Sequence, residues 1–206
     1  MCGGILTVME KIKVVQVIIS KQGEESENYR RFKELVNKKK IKVIVVNKGD
    51  RLQIEQDVVI DILWPNNRNL ISENVLNNNS IVCKLKYKKF SILFTGDIEE
   101  IAERQILKEY KNNLQVLNST VLKVGHHGSK TSSIQEFIDV VKPKIALIGV
   151  GENNKFGHPS DDVIKRLENI KAKIYRTDQM GEVTITVSKN GKVNVKKFIE
   201  YERMIT

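Results

Sequence analysis

The chain changes its hydrophobic period again and again, and this constrains its fold more than any other feature. Residues 12–20 (IKVVQVIIS), 41–46 and 57–63 are β-branched or alternating runs, whereas residues 24–39 set Tyr29, Phe32, Leu35 and Val36 on a helical stripe. The first kind of run suits a sheet strand and the second suits a helix lying against a sheet. Helical spacing also marks residues 3–11, where Ile5, Leu6 and Met9 share a face. The first half therefore reads α, β, α, β, β, with a turn at Gly49-Asp50.

The pattern continues after an Asn-rich polar stretch at 65–79, which reads as a loop. Residues 81–87 and 90–94 flank Lys88-Lys89 as a hairpin, and 99–110 form a helix with Ala102, Ile106 and Leu107 inward. A short strand is predicted at 120–124 and a helix at 132–141, with Ser132 or Ser133 as N-cap and Glu136 in the capping-box position. A strand at 144–150, a Ser160-capped helix at 160–169 and a strand at 173–176 follow. Residues 181–188 and 192–199 pair across Asn190-Gly191, a strong hairpin signal. Alternating strands and helices with several hairpins predict a layered α/β protein with a mixed sheet.

The 206 residues suit a single domain. Cys2 and Cys83 have neither finger spacing nor a partner pattern, so both read as free thiols. No apolar run approaches the roughly 20 residues that span a bilayer, and no signal peptide is read, so the expectation is a soluble, cytoplasmic chain. The net charge of +10 suits an anionic partner: nucleic acid, phosphate esters or an acidic membrane surface. The lysines are spread along the chain, so an AT-rich genome accounts for the same excess equally well.

Three polar clusters follow predicted strands: TGD at 95–97, GHHGS at 125–129 and NKFGHPS at 154–160. They contain all three histidines of the chain, His126, His127 and His158, together with Asp97. In layered α/β folds such strand ends gather along one sheet edge, where sites are built. A carboxylate and imidazoles on separate loops suit a borderline metal such as Zn²⁺ or Mn²⁺. Neighbouring histidines on a strand would point to opposite faces, one to an ion and the other to substrate.

The order of these clusters carries a resemblance. The segments NNNSIVCKLKYKKFSILFTGDIEEIAERQIL, LKVGHHGSKTSS and VKPKIALIGVGENNKFGHPSDDVIKRL resemble the metallo-β-lactamase-like domain of the ComEC competence proteins, over about residues 77–187. The resemblance implies an αββα sandwich and a hydrolase using one or two divalent metal ions, Zn or Mn. It further implies a phosphodiesterase or nuclease linked to DNA uptake, with DNA or another phosphodiester as substrate, in a domain attached to a membrane protein. By the same resemblance Asp97 is a metal ligand. His127 is the second ligand and His126 the catalytic histidine, or the reverse. His158, at the phosphate or substrate end of the site, is a further catalytic histidine, and Asn79, Ser80 and Ser129 are substrate-binding residues.

The chain departs from the superfamily pattern in one respect: no HxHxDH or HxDxDH motif occurs in it. Residues 1–206 therefore read as a single domain lacking its first strands and first metal motif, and metal binding is expected to be weak or absent. The alternative reading is a non-catalytic remnant, or a basic module that binds nucleic acid without chemistry.

Overall fold

The computed structural model describes residues 3–21 and 26–199. Cys2 and residues 24–25 of the predicted second helix lie outside the described residues. The elements run α1 (Gly3–Lys11), β1 (Gln16–Ile19), α2 (Glu27–Lys39), β2 (Lys42–Val45), β3 (Arg51–Glu55), β4 (Val58–Trp64), α3 (Val75–Asn78), β5 (Val82–Tyr87), β6 (Phe90–Phe94) and α4 (Glu100–Glu109). They continue with β7 (Val121–Lys123), α5 (Gln135–Val141), β8 (Ile145–Ile148), α6 (Asp161–Asn169), β9 (Lys173–Arg176), α7 (Thr177–Met180), β10 (Val183–Val187) and β11 (Val193–Lys197).

Seven strands form one mixed sheet in the order β3-β4-β5-β6-β7-β8-β9. The pairs from β3 to β6 are antiparallel and those from β6 to β9 are parallel. Alternation divides the side chains between the two faces. Leu93, Leu122 and Ala146 pack with Ala102 and Ile106 of α4, Phe137 and Ile138 of α5, and Val163 and Leu167 of α6. Phe90, Ile92, Val121 and Ile145 face the other way and meet Ile185, Val187, Val193 and Val195 of the β10–β11 hairpin. Each large aliphatic or aromatic side chain so buried stabilises the fold by about 1.5–3 kcal/mol. A parallel pair, β1–β2, carries α1 and α2 on a separate core of Leu6, Met9, Val17, Phe32 and Ile41. The result is the layered α/β architecture with a mixed sheet that the sequence predicts.

Local chemistry sets the helix starts. The Ser160 hydroxyl accepts from Val163 N at 3.4 Å and starts α6 as read; the Ser26 hydroxyl accepts from Tyr29 N at 3.2 Å and starts α2 at Glu27, inside the predicted 24–39 span. Other boundaries differ. The predicted strand at 12–20 shrinks to the four residues of β1, leaving Ile12 60% and Val15 71% exposed. β3 is an additional strand; its alternation is mostly solvent-facing, because it lies at the sheet edge. The Asn-rich loop contains the single turn of α3.

The start of α5 is a larger correction. Neither Ser132 nor Ser133 caps it; Ile134 occupies the N-cap position without a side-chain bond. The two free N–H groups are met from another helix: Glu103 of α4 accepts from Ser133 N at 2.6 Å and from Ile134 N at 2.8 Å. Ser132 turns back instead, donating to the carbonyls of Gly125 and Ser129.

Candidate metal centre

The three polar clusters extend from the C-terminal ends of β6, β7 and β8, which are adjacent parallel strands. Their convergence is therefore a consequence of strand order. Hydrogen bonds lock the first two together. Thr95 Oγ1 donates to the Lys123 carbonyl at 2.8 Å, and His126 N donates to the Gly96 carbonyl at 3.0 Å. Gly96 sits at φ +56°, and a Cβ there would lie 2.7 Å from that of Ser80, so only glycine permits this approach.

The GHHGS segment is a turn and does not continue β7. His126 and His127 both adopt left-handed conformations, at φ 46° and 56°, followed by Gly128 at φ +80°. Such a conformation costs a non-glycine residue about 1–2 kcal/mol, and surrounding bonds must hold it. The holding bonds are those from Ser132 Oγ to Gly125 O and from Ser160 N to Gly128 O. The two histidines do diverge, but through successive left-handed residues and not through strand alternation.

His127 swings toward β8 and β6. Its Nδ1 lies 2.6 Å from the Gly149 carbonyl. A carbonyl oxygen only accepts, so Nδ1 carries the proton. Nε2 then faces Asp97 Oδ1 at 3.8 Å. In the neutral ring this sets a lone pair against a carboxylate, an arrangement that a proton on Nε2 or a cation between the two atoms relieves. A backbone carbonyl holding one ring nitrogen so that the other can ligate is the usual support of a metal-binding histidine. Tetrahedral ligands with bonds of about 2.0 Å lie about 3.3 Å apart, close to the spacing seen here. Asp97 and His127 thus fit one ion from one side. Among the described residues no group of three or more His, Cys, Asp or Glu side chains is arranged to hold a metal ion.

His126 points to the other flank. Its Nδ1 is buried without a hydrogen-bond partner and lies 3.4 Å from Glu99 Oε1. Glu99 is itself fixed by Asn74 Nδ2 at 2.8 Å and by Thr131 Oγ1 at 3.2 Å, while its N–H donates to Asn78 Oδ1. The rings of His126 and His158 are 5.9 Å apart. Asn154 brackets the His158 peptide, accepting from its N–H at 2.9 Å and donating to its carbonyl at 2.7 Å. Burial, then the charges of His126 and His127, hold the His158 pKa below the ordinary histidine value. Lys123 lies beneath the turn with Nζ donating to the Val124 carbonyl; burial lowers its pKa, and Asp97 opposes that shift.

The structure thus brings together Asp97, His126, His127 and His158. Ser129 is buried beside them, its hydroxyl paired with that of Thr131 at 3.0 Å. Asn79 is fully buried and closes the 71–79 loop: it accepts from Ile71 N at 2.9 Å and donates to the Ile71 and Val75 carbonyls. Ser80 Oγ donates to the Leu76 carbonyl at 3.3 Å. Sequence reasoning passed over Glu99 and Lys123. Glu99 stands two residues after Asp97, and Lys123 opens the segment KVGHHGS, so proximity to the motifs was the available signal. Cys83 is a free thiol, and burial pushes its pKa up to about 11.

Comparison with known proteins follows the same line. The chain is 32% identical over 171 residues to ComE operon protein 3 of Bacillus subtilis, covering 83% of this chain and 21% of that protein. It is 32% identical over 145 residues to competence protein ComA of Neisseria gonorrhoeae, covering 68% and 20%. It is 30% identical over 183 residues to recombination protein 2 of Haemophilus influenzae, covering 89% and 20%. The chain spans about a fifth of the length of these relatives. No family model matches it. Among solved structures, CmlA, a diiron β-hydroxylase from Streptomyces venezuelae, aligns with TM-score 0.54 at 12% identity, over 82% of this chain and 39% of that one. At that identity the likeness concerns the fold alone. No helix of the described residues is long and apolar enough to cross a membrane.

Proposed function

The chain belongs to the ComEC competence-protein family, over its metallo-β-lactamase-like region, and from this premise we propose that it is a divalent-metal-dependent phosphodiesterase acting on DNA. One observation carries the reading. His127 donates its Nδ1–H to the Gly149 carbonyl at 2.6 Å and turns Nε2 toward Asp97 Oδ1, 3.8 Å away. Asp97 and His127 would hold the ion, Zn²⁺ or Mn²⁺. A bound divalent ion supplies a water of lowered pKa and a counter-charge for phosphate oxygens. A solved protein of similar fold, CmlA, is a diiron enzyme, which supports reading the site as a metal centre.

The remaining groups act on substrate. His126 and His158, with rings 5.9 Å apart, offer N–H donors to a phosphate and a proton to a departing oxygen. Glu99 beside His126 Nδ1 orients that ring. Ser80 stands against Gly96 and Ser129 ends the histidine turn, so both would border a bound substrate, while Asn79 braces the 71–79 loop behind Ser80. The charge of +10 draws a polyanion to the surface.

The test is cleavage of single-stranded DNA in Mn²⁺ or Zn²⁺ by the wild type, Asp97→Ala and His127→Ala. Metal-dependent cleavage lost in both variants is the expected result; folded wild type that leaves DNA intact contradicts it. The same +10 charge favours a second reading, a basic module that binds nucleic acid without chemistry. Its signature is salt-sensitive, metal-independent DNA affinity without cleavage.

A further inference from the structure

Phe156 is 82% exposed at the tip of the loop that carries His158. The ring buries little surface, while hydrogen bonds brace the loop that carries it. Asn154 bonds both the N–H and the carbonyl of His158, and its side chain also donates to the Gly151 carbonyl at 3.3 Å. The bracket holds the backbone on both sides of Phe156. Phe156 lies nearly parallel to His158, with centroids 5.9 Å apart and planes 19° apart. His158 in turn neighbours His126 at 5.9 Å. Three rings thus lead from the candidate metal centre to an exposed aromatic face.

Resting on the reading of this site as a phosphodiesterase, we infer that Phe156 is a base-stacking platform that selects single-stranded DNA. A phosphate at His126 and His158 leaves the base of the same or the next nucleotide within reach of Phe156. The free face of the ring accepts any base, since every base has a π-face, while in a duplex those faces are already stacked. Lys155 beside it attracts the backbone. Its neighbours along the chain, Asn153, Asn154, Lys155 and Gly157, are polar or small, so no apolar run surrounds the ring in the sequence.

The test compares two oligonucleotides of equal length, one of thymidines and one abasic, by fluorescence anisotropy in EDTA so that cleavage does not intervene. Phe156→Ala should weaken thymidine-oligomer binding by roughly five- to a hundredfold and leave abasic binding unchanged. Phe156→Trp should bind at least as well as wild type, with its fluorescence quenched by thymidines; Trp64 is fully buried and should contribute no quenching. Equal affinity of wild type and Phe156→Ala for thymidines, or equal losses for both oligomers, overturns the stacking role while leaving the nuclease reading intact. A wild type that binds neither oligomer also overturns the stacking role; the nuclease reading stands or falls separately on metal-dependent cleavage. Circular dichroism of the variants checks the fold, which an exposed side chain should not alter.

Discussion

Replacing Glu103 should weaken the whole floor beneath the histidine turn. The side chain is 1% exposed, and its two oxygens accept from Ser133 N and Ile134 N at 2.6 and 2.8 Å. Glu103→Ala strands two buried N–H groups, each costing about 1–3 kcal/mol, so the loss should be about 2–6 kcal/mol. Glu103→Gln keeps one acceptor and should cost less. The pH dependence has a definite sign. Burial pushes the Glu103 carboxyl up to about 7 from 4.5, against the opposing pull of the Ile134 and Ser133 N–H groups and Arg166. Between about pH 4.5 and 7 the native state keeps a proton that the unfolded chain has released. Wild-type stability therefore falls as pH rises through that window, by at most about 1.4 kcal/mol per unit, and this component flattens above it. Urea unfolding at pH 5 and 7.5 measures both effects, and Glu103→Gln should lack this component of the pH slope. A Glu103→Ala penalty below about 0.5 kcal/mol refutes the cap; an unchanged pH slope in Glu103→Gln refutes the raised carboxyl pKa.

Gly96→Ala should destabilise by about 2–4 kcal/mol, read as a lowered Tm, because it combines a positive φ with a Cβ 2.7 Å from that of Ser80. Lys84→Met should cost about 1–3 kcal/mol in urea unfolding, since its ammonium donates to the carbonyls of Val116, at 3.0 Å, and Asn118. Cys83, its thiol pushed up to about 11 by burial, should resist iodoacetamide at pH 8 until the protein unfolds; rapid labelling of folded Cys2→Ser protein contradicts this.

Much of the fold is legible because its signals are local. The β-branched runs, the Ser160 cap and the Asn190-Gly191 hairpin act within a few residues of themselves. The candidate site is legible for a related reason: TGD, GHHGS and GHPS each follow a strand, and strand ends in layered folds converge. What escapes is non-local. The cap of α5 comes from Glu103, about 30 residues away, and no reading of Ser132 and Ser133 in their own segment reveals it. Glu99 acquires meaning only when the β6 end meets the β7 turn. β3 escapes because an edge strand alternates against solvent, and Arg51, Gln53 and Glu55 mask its Leu52 and Ile54. The divergence of His126 and His127 follows from two successive left-handed residues, which neighbouring glycines permit but do not announce.

The most direct measurement is calorimetric titration of Mn²⁺ and Zn²⁺ into the purified protein, with Asp97→Ala and His127→Ala as controls. The arrangement of Asp97 and His127 predicts binding that disappears in both variants and, with two ligands among the described residues, is weak. A dissociation constant tighter than about 10 μM, roughly 7 kcal/mol, would mark a working centre. Binding that is absent, or that survives both substitutions unchanged, would contradict the metal centre and leave the histidine turn without the ion that its geometry addresses.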